Sequence, residues 1–545
     1  MSGSLDYRHV AGHKRGITLL DSRGPLAESG YADLFDQART AAAAYLRHGA
    51  LAGDRVVLSM RTDTDYLVAL VGALLAGIVP CTVAPPPTPS RTDSGGVRHL
   101  AAAVRAVRPT AVIATDAADL RGVLDVPVLG VDDLRHDVAL PVDRLHRPHP
   151  EQPHHIQLTS GSTSAPKAVV LPHRAVAANL DVLIAASELD PDSDTISSWL
   201  PLHHDMGLVQ LLAGLTTGAP VDLMAPYSFL RDPLSWPRHI GARGGTITAA
   251  PPFGYRAAAR RLRERPEDLD LSGLRRAYVG AEPIPADVLR DFTASFAHTG
   301  LREDVIVPCY GMAETVLATT LALNPGSEFG RVSTLVLDRG ALHLHGKAVP
   351  ASDPADSITL VNCGRPVPGV EVTVRGDDGD LCPEDTVGEI HVGGTSLMSG
   401  YLGDNGHAEP VGGEHATGDL GVIVNGDLYI VGRLKEMLIV NGRNLPPYDI
   451  EAAIEPHPAI GAGNSAVFSH LAPDGVEHVV AVAESRATGA ERAALIDDIA
   501  TAVRQAFGFT PSDIVVVPRR RIPRTTSGKR QRDLLRTHYL RDRVA

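Results

Sequence analysis

Lysine is scarce in this chain: five residues (Lys14, Lys167, Lys347, Lys435 and Lys529) stand against 46 arginines among 545 residues. Each lysine is therefore worth locating. Cysteine is scarce as well. Cys81, Cys309, Cys363 and Cys382 are widely spaced with no CxxC pair, which argues against a disulfide framework or a zinc knuckle and points to a reducing compartment, the cytoplasm. Positive charge is in deficit: 51 basic residues against 64 acidic ones leave a net charge of −13, the wrong sign for a nucleic-acid binder relying on a whole-surface positive field. The first residues, MSGSLDYRHVAGHKRG, lack the apolar stretch of a signal peptide. One long apolar run, 66–84, is broken by Gly72, Gly77 and Pro80 and followed by PPPTP. It predicts a buried helix over about 66–76 that turns at Gly77 into a strand, not a membrane span.

What is present is an ordinary globular composition, 44% hydrophobic and 21% charged, on a chain long enough for two or more domains with a sizeable core. Helical patterns at 32–48 and 97–107 alternate with β-branched runs at 54–60, 110–114 and 126–131, which predicts α/β layers with a largely parallel sheet. The Pro/His-rich stretch 147–155 reads as a solvated loop, since no carboxylate or cysteine stands at ligand spacing. From Ser357 onward, short β segments (358–362, 370–375, 389–393, 421–424, 428–431) predict a small antiparallel sheet or barrel. After Gly432, strand-like stretches and a helix over 490–507, with Leu495, Ile499, Val503 and Phe507 every fourth residue, predict a separate α+β domain.

The strongest local signal is IQLTSGSTSAPK at 156–167. Hydroxyls and glycines packed as T-S-G-S-T-S let a backbone wrap a polyphosphate, and a terminal lysine supplies charge. It is not a Walker A loop, because Pro166 precedes Lys167 and Ala168 follows. A Ser/Gly linker would explain the small residues but not the apolar start, the Pro-Lys end or the β-rich AVVL that follows.

This segment resembles the AMP-binding signature of the adenylate-forming superfamily of acyl-CoA ligases, luciferases and peptide-synthetase adenylation domains. SWLPLHHDMG (198–207), GAEP (280–283), YGMAET (310–315), TGDLG (417–421), GRLKEMLIVNGRNLPPYDIE (432–451) and PRTTSGK (523–529) follow in the family's order and span most of the chain. The resemblance implies a large α/β domain over 1–432, with a β-barrel-like subdomain, a hinge at 433–435 around Lys435, and a small mobile α+β domain over 436–545. It implies ATP and Mg²⁺ as cofactors. Nucleotide binding would fall to Thr159, Ser160, Gly161, Ser162, Thr163, Lys167, Gly280, Ala281, Glu282, Pro283, Tyr310, Gly311, Met312, Ala313, Asp419 and Arg433, metal binding to Glu314 and Thr163, and catalysis to Lys529, His204 and Glu314. Physical sense supports several of these: an aromatic face for adenine at Tyr310, an acceptor-only carboxylate for a ribose diol at Asp419, a fork of donors for phosphate at Arg433.

Within the superfamily the chain is most similar to the fatty acyl-AMP ligases, which load carrier-protein phosphopantetheine. PLHHDMG, GAEPI and the 49-residue interval from Glu314 to Cys363 carry that likeness, and about 327–360 looks like the branch's insertion, with a variable surface loop as the plain alternative. The expected partners are a carboxylic acid and an acyl carrier protein, with no nucleic acid, no membrane span and a monomeric state. Coenzyme A as acceptor, or an unusual small, aromatic or non-carboxylate acid, is the alternative. Trp199, His203, Met206, Phe253 and Tyr255 are candidate pocket residues, with core packing the competing reading for each. Ser164, Ala168 and Leu445 depart from the family pattern and put acceptor and substrate, more than ATP chemistry, in question.

Overall fold

The computed structural model describes residues 3–92, 94–159, 166–323, 332–440, 443–471, 477–524 and 529–544. The apolar run resolves as the periodicity predicts. Asp63 caps the helix Thr64–Leu75 by accepting from the Tyr66 N–H at 3.0 Å, Gly77 turns the chain with φ +75°, and the strand Val79–Thr82 follows. This helix packs on Tyr31–Arg47, where a side chain at Gly72 would collide with Ala41 and the carbonyl of Ala38. Among the described residues no helix is long and apolar enough to cross a membrane.

The described residues form two large sheets with helices on their faces. One has eight strands and a parallel centre built from Val79–Thr82, Arg55–Ser59 and Ala111–Ala114. The other has nine, and its centre runs parallel through Val221–Met224, Ile196–Ser198, Ile247–Ala250, Arg276–Val279 and Ile306–Gly311. In open parallel sheets ligands collect beyond the carboxyl ends of the strands. There the chain places its motifs: Ser198 leads into WLPLHHDMG, Val279 into GAEP, and the strand Ile306–Gly311 into MAET.

The small sheet is a four-stranded antiparallel layer of Val370–Arg375, Gly388–Gly394, Glu414–Val424 and Asp427–Arg433. One predicted member goes elsewhere. Ser357–Val361 pairs with Thr334–Asp338, and this hairpin, with the helix Arg339–His345 between its strands, packs Leu337, Leu342 and Leu360 against Val422, Tyr429 and Val431 of the small sheet. A sequence run shows that a segment is extended but not which strand it pairs with, and this one takes its partner from the expected insertion.

The C-terminal part has its own core. Three strands (Ser465–Leu471, Glu477–Glu484, Asp513–Val517) are covered by the helices Pro447–Ile454 and Gly489–Phe507. Leu495, Ile499, Val503 and Phe507 are all buried, each contributing about 1.5–3 kcal/mol, and Gly508 ends the helix with φ +75°.

The histidine-rich stretch corrects the sequence reading of a solvated loop. His154 and His155 lie on the strand Pro153–Thr159 and are 2% and 3% exposed, and His173 at the next helix start is 7% exposed. Tyr7 Oη sits 2.8 Å from His154 Nε2, His154 Nδ1 2.8 Å from His155 Nδ1, and the Leu5 N–H donates to His173 Nδ1. The apolar neighbours that bury these rings come from residues 5–10 and from distant helices, which local composition does not reveal. Burial lowers the His155 pKa to about 3 and that of His173 to about 4, with neighbouring histidines adding to the effect. The unfolded chain therefore takes up protons near pH 6.5 while the fold resists them, so stability falls as pH drops from about 6.5 toward 4, by on the order of a few kcal/mol. Thermal midpoints measured across that range are expected to decline steeply, and more shallowly in His155→Asn; equal slopes for both proteins would refute this account.

Candidate active site

The TGDLG turn is built by its own side chains. Thr417 Oγ1 donates to the Ile390 carbonyl and accepts from the Asp419 N–H at 3.0 Å, while Gly418 takes φ +74° and donates to Glu389. Asp419 and Arg433 face each other across paired strands, and Arg433 Nε donates to Asp419 Oδ1 at 2.8 Å. From the large sheet, Tyr310 Oη donates to Asp419 Oδ2 at 2.8 Å. Both carboxylate oxygens are thus engaged once. An ionised carboxylate offers about four acceptor positions, so two remain for a diol such as ribose. Asp419 in turn raises the pKa of Arg433 and holds its charge in place.

Glu314 lies in a one-turn segment, Ala313–Thr315, followed by Val316 at φ +71°, a conformation unfavourable for a β-branched residue. Gly311 permits this turn: a side chain there would fall 1.7 Å from the Leu317 carbonyl oxygen. Glu314 Oε1 accepts from Tyr401 Oη at 2.7 Å, and Lys167 Nζ lies 4.7 Å from the centre of the Tyr401 ring. Tyr401 thus joins the phosphate-loop lysine to Glu314, and sequence reasoning missed it. Its signal was faint: one aromatic residue in SGYLGD, brought to the site by the pairing of Gly400–Leu402 with Lys167–Pro172.

Thr159 and Lys167 pair across the two strands that flank the phosphate loop. The calls on Ser160, Gly161, Ser162, Thr163 and Ser164 lie outside the described residues. Gly280 follows its strand against Cys309, whose sulfur a side chain at Gly280 would meet at 2.8 Å, so packing suffices to explain that glycine. Ala281 has φ +68° and presents Glu282 and Pro283 at the strand end. Met312 and Ala313 act through the backbone, the Met312 N–H closing the turn on Leu317.

His203 and His204 precede the helix Asp205–Thr217. Burial lowers the His203 pKa to about 4 and takes His204 well below the usual range, with Lys529 adding to the effect on His204. Both rings are neutral near pH 7. Lys529 is exposed at the end of a loop closed by backbone bridging between Arg524 and Arg530. Its charge also acts on Asp205 and Glu282, whose carboxyls burial pushes up and Lys529 draws back down. Lys529 is therefore an electrostatic neighbour of residues that follow the strands of the large sheet. Lys435, exposed between Leu434 and Glu436, lies where the small sheet ends and the C-terminal part begins.

Trp199 stacks on Phe229 at 3.7 Å and meets Phe253 edge-on at 5.6 Å, while Met206 is buried beside them. Tyr255 departs from the pocket expectation. It is fully buried, its hydroxyl donates to the Tyr278 carbonyl at 2.9 Å, and its ring packs on Trp236 and Phe292. Three residues beyond Pro252 on a helix, it faces the sheet as core.

Residues 8–402 match the profile described as AMP-binding enzyme. The chain belongs to this family. Residues 435–545 match the AMP domain of Disco-interacting protein 2-like proteins. The long-chain-fatty-acid–AMP ligase FadD32 of Mycolicibacterium smegmatis is 33% identical over 93% of this chain and 88% of its own. A Caulobacter vibrioides protein provisionally named an acyl-CoA synthetase is 33% identical over 99% and 95%. A solved fatty acyl-adenylate ligase, from a study of the E. coli and L. pneumophila enzymes, superposes with a TM-score of 0.89 at 32% identity, covering 99% of this chain and 97% of that one. The AMP-binding chain thus sits among acyl-AMP ligases and is an adenylate-forming enzyme.

Asp419→Asn keeps the shape of the turn but weakens the acceptor for Arg433 and for a diol. It is expected to raise the KM for ATP by roughly tenfold to a hundredfold with a smaller change in kcat; an unaltered KM would remove Asp419 from nucleotide binding.

Proposed function

We propose that the enzyme activates a carboxylic acid with ATP, releasing pyrophosphate and forming an acyl-adenylate, and then passes the acyl group to the phosphopantetheine thiol of a carrier protein. The observation that carries this reading is the convergence of two halves on one edge. The Asp419 carboxylate with Tyr310 and Arg433 suits the nucleoside, and the charge of Lys529 acts on His204, Asp205 and Glu282.

Tyr310 offers a ring face to adenine, Asp419 accepts from the ribose hydroxyls, and Lys167 with the loop after Thr159 holds the polyphosphate. The acid carboxylate attacks the α-phosphorus in line, the bond to pyrophosphate breaks, and no protein nucleophile is needed. Two anions must meet in this step, and Lys529 lowers that cost by lying between them, a role for a compact ammonium. His204 stays neutral and acts by hydrogen bonding. Magnesium neutralises phosphate oxygens when bound. Among the described residues no group of three or more potential ligands could hold a metal, but Mg²⁺ in nucleotide sites needs only one or two carboxylates beside the phosphates. Glu314 fits, since its bond from Tyr401 uses one of several acceptor positions.

For the acid, relatives named for long fatty chains support a fatty substrate, and the half-buried Phe253, packed on the buried Trp199, offers an apolar side chain. For the acceptor, the insertion bears on the choice. His343 Nε2 lies 3.3 Å from Asp449 Oδ2 and the Arg339 guanidinium 5.1 Å from the centre of the Phe507 ring, so the inserted helix rests on the C-terminal domain. Such contacts restrain the rotation that acyl transfer requires, and a docked partner protein offers more interface to offset that restraint than coenzyme A does. Coenzyme A, suggested by the Caulobacter relative's name, is the second reading, and offering both thiols side by side decides between them.

Lys529→Ala is expected to reduce acid-dependent pyrophosphate release by about a hundredfold or more while ATP still binds by calorimetry. Release at the wild-type rate, or absence of any adenylate from the wild-type enzyme with a broad acid panel, would overturn the proposal.

A further inference from the structure

Although the chain carries a net charge of −13, its C-terminal domain holds three consecutive arginines, Arg519, Arg520 and Arg521, all exposed. They form a turn between the strand Asp513–Val517 and the buried Ile522. The turn is built from below: Glu484, 3% exposed, accepts from the backbone N–H groups of Arg521 at 2.6 Å and Ile522 at 2.7 Å through the same oxygen. Arg520 stands at φ +67°, a left-handed conformation that glycine adopts freely and a side chain adopts at a cost. The backbone of the turn is thus held from the buried side while the three arginines are exposed.

These arginines differ from others nearby. Arg530 and Arg532 are bound by Glu451, Glu455 and Glu436. Among the described residues no carboxylate pairs with Arg519, Arg520 or Arg521; Arg519 reaches only the Ala459 carbonyl, at 3.5 Å. An otherwise acidic protein therefore keeps a rigid cationic tip that its own ion pairs do not use. The tip lies eight residues before Lys529, on the domain that must move for acyl transfer. It is a turn and not a cleft, so it offers no enclosure for a small anion. Three spread positive charges suit a protein face bearing several carboxylates.

We propose that Arg519, Arg520 and Arg521 form a docking surface for the acidic face of the acceptor carrier protein. The proposal rests on the carrier-acceptor reading above. An acidic partner approaching a protein of net charge −13 meets repulsion over most of its surface, and a local patch steers it to one place. Because the patch belongs to the C-terminal domain, a partner held there stays attached while that domain swings.

The test compares the wild type, the charge-reversed triple variant R519E/R520E/R521E and the milder triple Gln variant. Pyrophosphate release, acyl transfer to an acidic holo carrier protein and acyl transfer to coenzyme A are measured at about 50 and 300 mM salt. Pyrophosphate release is expected to stay within about twofold of wild type, which also shows that the variants fold. Carrier kcat/KM is expected to fall roughly tenfold or more at low salt, with a smaller loss in the Gln variant and a flattened salt dependence. Unchanged carrier transfer by the charge-reversed variant overturns the docking site, as does an equal loss with coenzyme A. If wild type acylates coenzyme A but no carrier, the acceptor reading itself fails, and this is visible before any variant is made.

Discussion

The segment that follows Lys529 is anchored on one buried carboxylate. Glu451, 1% exposed on the helix Pro447–Ile454, pairs with Arg530 and Arg532 and accepts from the Val467 N–H at 2.8 Å. Burial alone would push its pKa up, yet Arg532 and Arg530 overcome this and hold it below the ordinary range. Removing one member of such a set leaves a buried charge uncompensated, at a cost of about 3–5 kcal/mol. Arg530 follows Lys529 directly, so the position of Lys529 is tied through the backbone to this network. Arg256 of the large domain, 3.9 Å from Glu455, extends it across the domain boundary.

A second network joins two sheets. Asp419 and Arg433 lie on paired strands of the small sheet and Tyr310 on the nine-stranded one, and the hydrogen bonds among them tie the two sheets together. Tyr401 does the same between Glu314 and Lys167. Neither cluster is saturated. Each carboxylate keeps acceptor capacity, so ligand hydroxyls or a hydrated cation can be added without breaking the protein's own bonds, and little reorganisation is needed when charge moves.

The strands and helices that were legible were so because a repeat of two or near four residues records which side is buried, as at Leu495, Ile499, Val503 and Phe507, or because glycine marks a turn, as at Gly77. The family was legible because several motifs stand in its order along the chain. What could not be read depended on partners far away in sequence. His154 and His155 looked solvated because the segments that bury them, including Leu5 and Tyr7, are about 150 residues distant. Tyr401 gave only a faint local signal, since its place beside Glu314 and Lys167 comes from strand pairing. Tyr255 was a pocket candidate, yet its position on the helix Pro252–Glu264 turns it toward the sheet, where it is fully buried, while Phe253 two positions earlier is only half-buried.

The shortage of lysine has a chemical reading in the ion pairs. Those that fix the C-terminal loop, Arg530 and Arg532 with Glu451, Glu455 and Glu436, are forks of two or more nitrogens on carboxylates, geometry an ammonium cannot supply. Arginine serves wherever a planar donor array must stay put. Lys167 instead lies against an aromatic face, Lys347 makes a single bond to Thr386 Oγ1 at 2.7 Å, and Lys529 stands exposed at a loop end. A guanidinium brings a wide, fixed fork, whereas an ammonium is a point charge on a flexible stem. The contacts of Lys167 and Lys347 are of the kind that need no fork, an aromatic face and a single hydroxyl, so in this arginine-rich chain lysine stands where planar, bidentate geometry has no use.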